Sequence, residues 1–95
     1  MNMDSFEWDI GKDLVNQAKH GVSFAEAQNA FADTNRVVAV DLTHGGAEEQ
    51  YYCYGKVEQG ILTVRFTYRR GMIRIIGAGY WRKGKQIYER ENKIY

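Results

Sequence analysis

"ILTVRFTYRRGMIRIIGA", residues 61–78, is the stretch from which the fold is read. Two alternating runs flank the short segment Arg69-Arg70-Gly71, the pattern of a tight β-hairpin. In the first run Leu62, Val64, Phe66 and Tyr68 share one face, and Thr63, Arg65 and Thr67 share the other. In the second, Ile73 and Ile75 face the core while Met72, Arg74 and Ile76 turn away. Any register that sets Phe66 and Val64 against Ile73 and Ile75 puts Arg65 and Arg74 on one outer face. Gly71 supplies the positive φ that the turn requires.

Upstream, "RVVAVDL" at 36–42 and "QYYCYGK" at 50–56 show the same β-branched and aromatic enrichment. No connection is long enough for a crossover helix, so the four runs form an antiparallel meander. Before residue 36 the periodicity is helical. "IGKDLVNQAKH", residues 10–20, puts Ile10, Leu14, Val15 and Ala18 on one face, with Asp9 as N-cap and Gly21 at C′. Ser23 and Glu26 have capping-box spacing, and Val22 with Ala27 has that of a hydrophobic staple. Phe24, Ala27, Ala30 and Phe31 are the apolar stripe of this second helix. "FEWD" at 6–9 is a short extended segment, and "WRKGKQIYERENKIY" at 81–95 ends in a helix whose thin apolar stripe leaves it either to dock loosely or to wait for a partner. The expected fold is α+β: two N-terminal helices, a four-stranded antiparallel sheet and a C-terminal helix. Residues 1–95 suffice for one domain with one modest core.

The net charge of +1 hides an asymmetry. Residues 1–64 carry four Lys/Arg and ten Asp/Glu, whereas residues 65–95 carry nine and two. Such a split points to a polyanion-binding face on an acidic body. Neutralisation of the basic end by the acidic half is the alternative. Arginines gathered on one hairpin face repel one another unless an anion lies between them. Cys53 is the sole cysteine, which excludes an internal disulfide, and no Cys/His cluster has zinc-ligand spacing. "MNMDSFEWDI" lacks the apolar core of a signal peptide, and no apolar run approaches membrane-spanning length. The expected location is cytoplasmic, with no membrane partner.

Three pieces, in this order, resemble the BrnT family of bacterial ribonuclease toxins of type II toxin–antitoxin systems. They are "FEWDIGKDLVNQAKHGVSFAEAQNAFAD" at 6–33, "THGGAEEQYYCYG" at 43–55 and "YRRGMIRIIGA" at 68–78. The resemblance implies a RelE-like α+β fold and RNA cleavage without metal or other cofactor. It also implies a BrnA-like antitoxin that joins a DNA-binding ribbon-helix-helix domain to a toxin-neutralising segment. Operator DNA would then be bound only through the complex. One departure stands out: where the family usually reads isoleucine-serine-alanine-arginine, this chain has Ile76-Gly77-Ala78-Gly79. The family's arginine is therefore missing at Gly79, which leaves open a catalytically weak member acting as a binding module or co-repressor.

Metal-free RNA cleavage needs the 2′-hydroxyl held in line, the charge on phosphorus stabilised and protons moved. A guanidinium suits the second task. Arg69 and Arg74, which match basic positions of the family's hairpin, take it first, with Arg65 behind them. Loss of either is expected to abolish cleavage. Arg70, Arg82 and Lys83 are read as contacts to flanking phosphates, and Tyr68, Tyr80 and Trp81 as stacking surfaces. His20 and Tyr88, the latter in the family's tyrosine-glutamate ending with Glu89, are candidates for proton transfer. His20 also suits the C-terminus of its helix. His44 is read as a solvated turn residue and Cys53 as packing. A sheet-based nucleic-acid binder without catalysis is the third reading.

Overall fold

The computed structural model describes residues 5–43, 46 and 48–94; His44 lies outside the described residues. Nine elements follow one another: β1 (Phe6–Trp8), α1 (Ile10–His20), α2 (Phe24–Ala27), a 3-10 helix (Gln28–Ala32), β2 (Val37–Val40), β3 (Tyr51–Val57), β4 (Gly60–Arg69), β5 (Met72–Gly79) and α3 (Arg82–Glu91). Local signals act as the sequence predicts. The Asp9 carboxylate accepts from the Lys12 amide at 2.9 Å, and Gly21 closes α1 at φ 69°. Ser23 and Glu26 form a complete capping box. Arg70 and Gly71 both take positive φ, 53° and 75°, the requirement of a type I′ hairpin turn. Arginine pays steric strain there, so Arg70→Asn is expected to stabilise the fold by about 0.5–1 kcal/mol in denaturant titration.

The sheet has five strands in the order β1-β5-β4-β3-β2. Strands β2 to β5 form the expected antiparallel meander, but the four-strand reading is one strand short. The segment "FEW" pairs parallel with β5, Phe6 opposite Ile73 and Trp8 opposite Ile75, so the sheet is mixed. Three residues carry too little pattern to announce a partner some 65 positions away. On the inner face, Phe31 packs edge-on between Phe6 and Phe66, with ring centroids at 5.2 and 5.0 Å. Phe24, Ala27, Ala30, Leu62, Val64, Ile73 and Ile75 complete this core. Gly55 lets the 3-10 helix lie flat on β3, because a Cβ there would strike the Ala30 carbonyl.

Two helices depart from expectation. The apolar stripe of α1 faces solvent: Ile10 is 71%, Leu14 61% and Val15 55% exposed, and the one buried residue is Asn16. The inner face is already filled by α2 and the 3-10 helix, so α1 attaches at the sheet edge instead. Where β1 ends, Asn16 continues the edge of β5. Its Nδ2 donates to the carbonyls of Ala78 and Val22, both at 2.9 Å, and its Oδ1 accepts from the Ala78 amide at 3.2 Å. The other departure is α3, which is docked rather than loose. Gly84 lies so close to Thr63 and Tyr54 that a Cβ would collide with Thr63 Oγ1, and Tyr88 is buried.

Candidate active site

Between α1 and α3 the outer face of the sheet is left open as a trough of about 730 Å³, within the usual range of ligand sites. Strand β4 supplies Arg65 and Thr63, β3 supplies Tyr52, and α1 lines one wall with Lys12, Val15, Lys19 and His20. Arg65 stands between Tyr52 and Gly77 in the cross-strand register. The ladder slips there: Arg65 pairs with Gly77 but Phe66 with Ile75, so Ile76 is an extra residue in β5. A bulge of this kind re-aims side chains and widens the floor, and bulges recur beside active sites. Trp81 closes the trough, its indole 5.1 Å from the His20 ring in an edge-to-face contact.

Trp81 also borders a second groove of about 560 Å³, with Gln59, Ile61, Tyr80, Arg82, Lys85 and Glu89. Tyr80 is oriented there by donating to Gln59 at 3.1 Å. The Trp81 indole lies against Gly79, so closely that a Cβ at that position would run into the ring. The departure at Gly79 thus has a spatial counterpart: the indole fills the room that a side chain at 79 would take.

Of the expected site residues, the trough unites His20, Arg65 and Trp81, and the second groove adds Tyr80, Arg82 and Tyr88. Arg69 and Arg74 line neither cavity. Arg69 donates to Glu48 through both Nε and Nη2, at 3.2 and 3.0 Å, and Arg74 pairs with Glu7 at 3.2 Å. Thr67 Oγ1, on the same outer face, donates to the Glu49 carbonyl at 2.7 Å and draws the segment bearing Glu48 across the sheet. Hydrogen bonding from Arg69, with the Arg74 charge behind it, holds the Glu48 carboxyl below its ordinary value. The anion expected between the arginines is therefore, in part, the protein's own. Arg70 and Lys83 are exposed, at the hairpin tip and the start of α3, and Tyr68 packs against Tyr51 and Phe66.

Tyr88 is 3% exposed, and its hydroxyl donates to Asp33 Oδ2 at 2.6 Å. Burial and the Asp33 carboxylate push that hydroxyl up to about 12. Burial works against the Asp33 charge, but the Tyr88 hydroxyl and the Lys56 and Asn35 amides outweigh it and hold the carboxyl below its ordinary value. A lowered carboxyl stabilises the fold above its unfolded pKa and loses that contribution as pH falls through the folded value. Tyr88→Phe is accordingly expected to cost about 1–2 kcal/mol at neutral pH. The gap to wild type should narrow in acid unfolding below about pH 4. Cys53 is fully buried, 3.9 Å from the Ala30 carbonyl, and burial pushes its thiol up to about 12.

Sequence reasoning missed Lys12, Lys19 and Tyr52. The seven-residue interval between the two lysines, two turns along one side of α1 with His20 adjoining, was the available signal.

The family model for the BrnT ribonuclease toxin of type II toxin–antitoxin systems matches residues 8–84. The chain belongs to the BrnT family. The matched region runs from Trp8 to Gly84 and contains the whole trough. It stops before Tyr88. A BrnT ribonuclease toxin has an RNA substrate and a cognate antitoxin, and the α+β architecture is consistent with the RelE-like fold. A comparison with curated proteins gives no significant match. No helix among the described residues is long and apolar enough to cross a membrane.

Proposed function

We propose that this BrnT toxin is an endoribonuclease that cleaves mRNA in the trough between α1 and α3, by attack of a 2′-hydroxyl on the adjacent phosphate. One observation carries the reading: Lys12 and Lys19 from the acidic half meet Arg65 from the basic half, beside an imidazole and two aromatic rings. A strongly charged concave surface gathers a polyanion. Arg65 is the side chain placed to bind phosphoryl oxygens as charge builds on phosphorus, while Lys12 and Lys19 hold flanking phosphates as point charges. His20, on the trough wall, is the candidate for proton transfer, since imidazole is the side chain best suited to it near neutrality. Trp81 offers a stacking face at the junction of the two cavities, from which Tyr80, Arg82 and Lys85 lead the strand onward. Arg69 and Arg74 meet RNA only after exchanging Glu48 and Glu7, so they serve binding more than chemistry. Tyr88 is structural. The antitoxin is BrnA-like, and operator DNA is bound through the complex.

The test is incubation of antitoxin-free protein with single-stranded RNA and with translated message, followed by analysis of the new ends. Cyclic 2′,3′-phosphate ends are expected, with cleavage about a hundredfold slower in His20→Ala. New 5′-phosphate and 3′-hydroxyl ends would remove the 2′-hydroxyl step, and undiminished cleavage by His20→Ala would remove the imidazole from it. Trp81 lying where a side chain at 79 would project favours a second reading, a toxin fold retained as a binding module. Wild-type protein that binds but never cuts either RNA would establish it.

A further inference from the structure

On a surface helix the apolar stripe ordinarily faces the core; in α1 it faces away. Ile10, Leu14 and Ala18 follow one another at four-residue intervals along the outward side, and Val15 flanks them toward the trough. Asn16 makes the inward attachment. The stripe is unused by the fold, and its trough side is rimmed by cations, with the Asp9 carboxylate that caps the helix at its N-terminal end. Lys12 and Lys19, about 10 Å apart along the axis, lie between the stripe and the trough, and Gly11 and Val15 belong to stripe and trough wall alike.

We infer that the outward face of α1 docks an amphipathic, acidic segment of the cognate antitoxin, whose apolar side chains cover Ile10, Leu14 and Ala18 and whose carboxylates reach Lys12 and Lys19. The partner's class rests on the toxin reading; the surface does not. Charge selects the occupant, because an acidic rim on the partner matches the lysines. Size argues the same way. An 11-residue helix is about 16 Å long, and one face of it falls well short of the ~800 Å² per partner of a stable interface. A segment that continues over Val15 into the trough gains both area and charge. Silencing then follows from occlusion: the antitoxin's carboxylates take the places of RNA phosphates beside Lys12, Lys19 and Arg65.

The experiment uses Leu14→Glu and Ile10→Glu, exposed positions outside the trough lining, with Lys19→Glu as the charge arm. Affinity for purified full-length antitoxin is measured by calorimetry, RNA cleavage is measured without antitoxin, and circular dichroism confirms folding. Leu14→Glu and Ile10→Glu are expected to weaken antitoxin binding about 30-fold or more with cleavage unchanged, and Lys19→Glu to weaken binding as well. Antitoxin affinity within twofold of wild type in both apolar-site variants overturns the inference. So does a wild-type dimer that Leu14→Glu splits without altering antitoxin affinity, since the occupant is then a second copy. Loss of binding by the variants of a protein that cuts no RNA leaves the docking surface standing and removes only the ribonuclease reading of the trough.

Discussion

Arg65→Ala is expected to slow RNA cleavage about a hundred- to a thousandfold, while Arg69→Ala and Arg74→Ala each cost less than about tenfold. The ranking follows from position. Arg65 rises from the middle of β4, is held in register between Tyr52 and Gly77, and faces the trough across a bulge. A side chain in that position is within reach of a phosphoryl group bound in the trough. Arg69 and Arg74 line neither cavity and sit beside Glu48 and Glu7 toward the hairpin end of the sheet. Arg65→Lys should recover part of the rate, since it restores the charge but not the planar fork that grips two oxygens. Steady-state cleavage of one defined oligonucleotide, beside the thermal midpoint of each variant, measures the effect on folded protein. Equal losses in all three alanine variants would return the hairpin arginines to the chemistry, as the sequence alone had ranked them.

The two rankings differ in the kind of information they draw on. Short-range features were legible: the Asp9 cap, the capping box of Ser23 and Glu26, the Gly21 terminus and the hairpin all rest on residues within one or two turns of each other. The shared outer face of Arg65 and Arg74 was legible too, because strand parity fixes it. What stayed hidden was every relation that joins distant segments. Periodicity marks the stripe on α1 but not the direction in which it points, and that direction was settled by other elements filling the inner face first. The charge split has two readings, and the ion pairs and the trough bear on both. Glu7 and Glu48 from the acidic half neutralise the hairpin arginines, while Lys12 and Lys19 from that same half join Arg65 in the trough. Net charge by segment marks the basic end but not the lysines of the acidic half that line the trough. The proposed site lies where the two halves meet.

Among the side chains that join those halves, Asn16 fixes α1 to β5, and Asn16→Leu is expected to be the most damaging single change in α1. Leucine has nearly the same size but replaces a buried amide that makes three hydrogen bonds. The carbonyls of Val22 and Ala78 and the Ala78 amide would all lose their partner at a site only 7% exposed. At about 1 kcal/mol or more for each unsatisfied group, the loss is about 3–4 kcal/mol. Natural domains have only ~5–15 kcal/mol in total, and for a chain of this size the shift in midpoint is about 15 °C or more. A second consequence separates this from ordinary destabilisation. Lys12, Lys19 and His20 keep their distance from Arg65 only while α1 is fixed to β5, so a helix that shifts by about 1 Å costs roughly a hundredfold in rate. Cleavage should consequently fall even well below the midpoint, where the variant is almost wholly folded. Asn16→Leu protein that is destabilised yet cuts RNA at the wild-type rate would show that the wall formed by α1 contributes nothing to the chemistry. Only the floor around Arg65 would then remain.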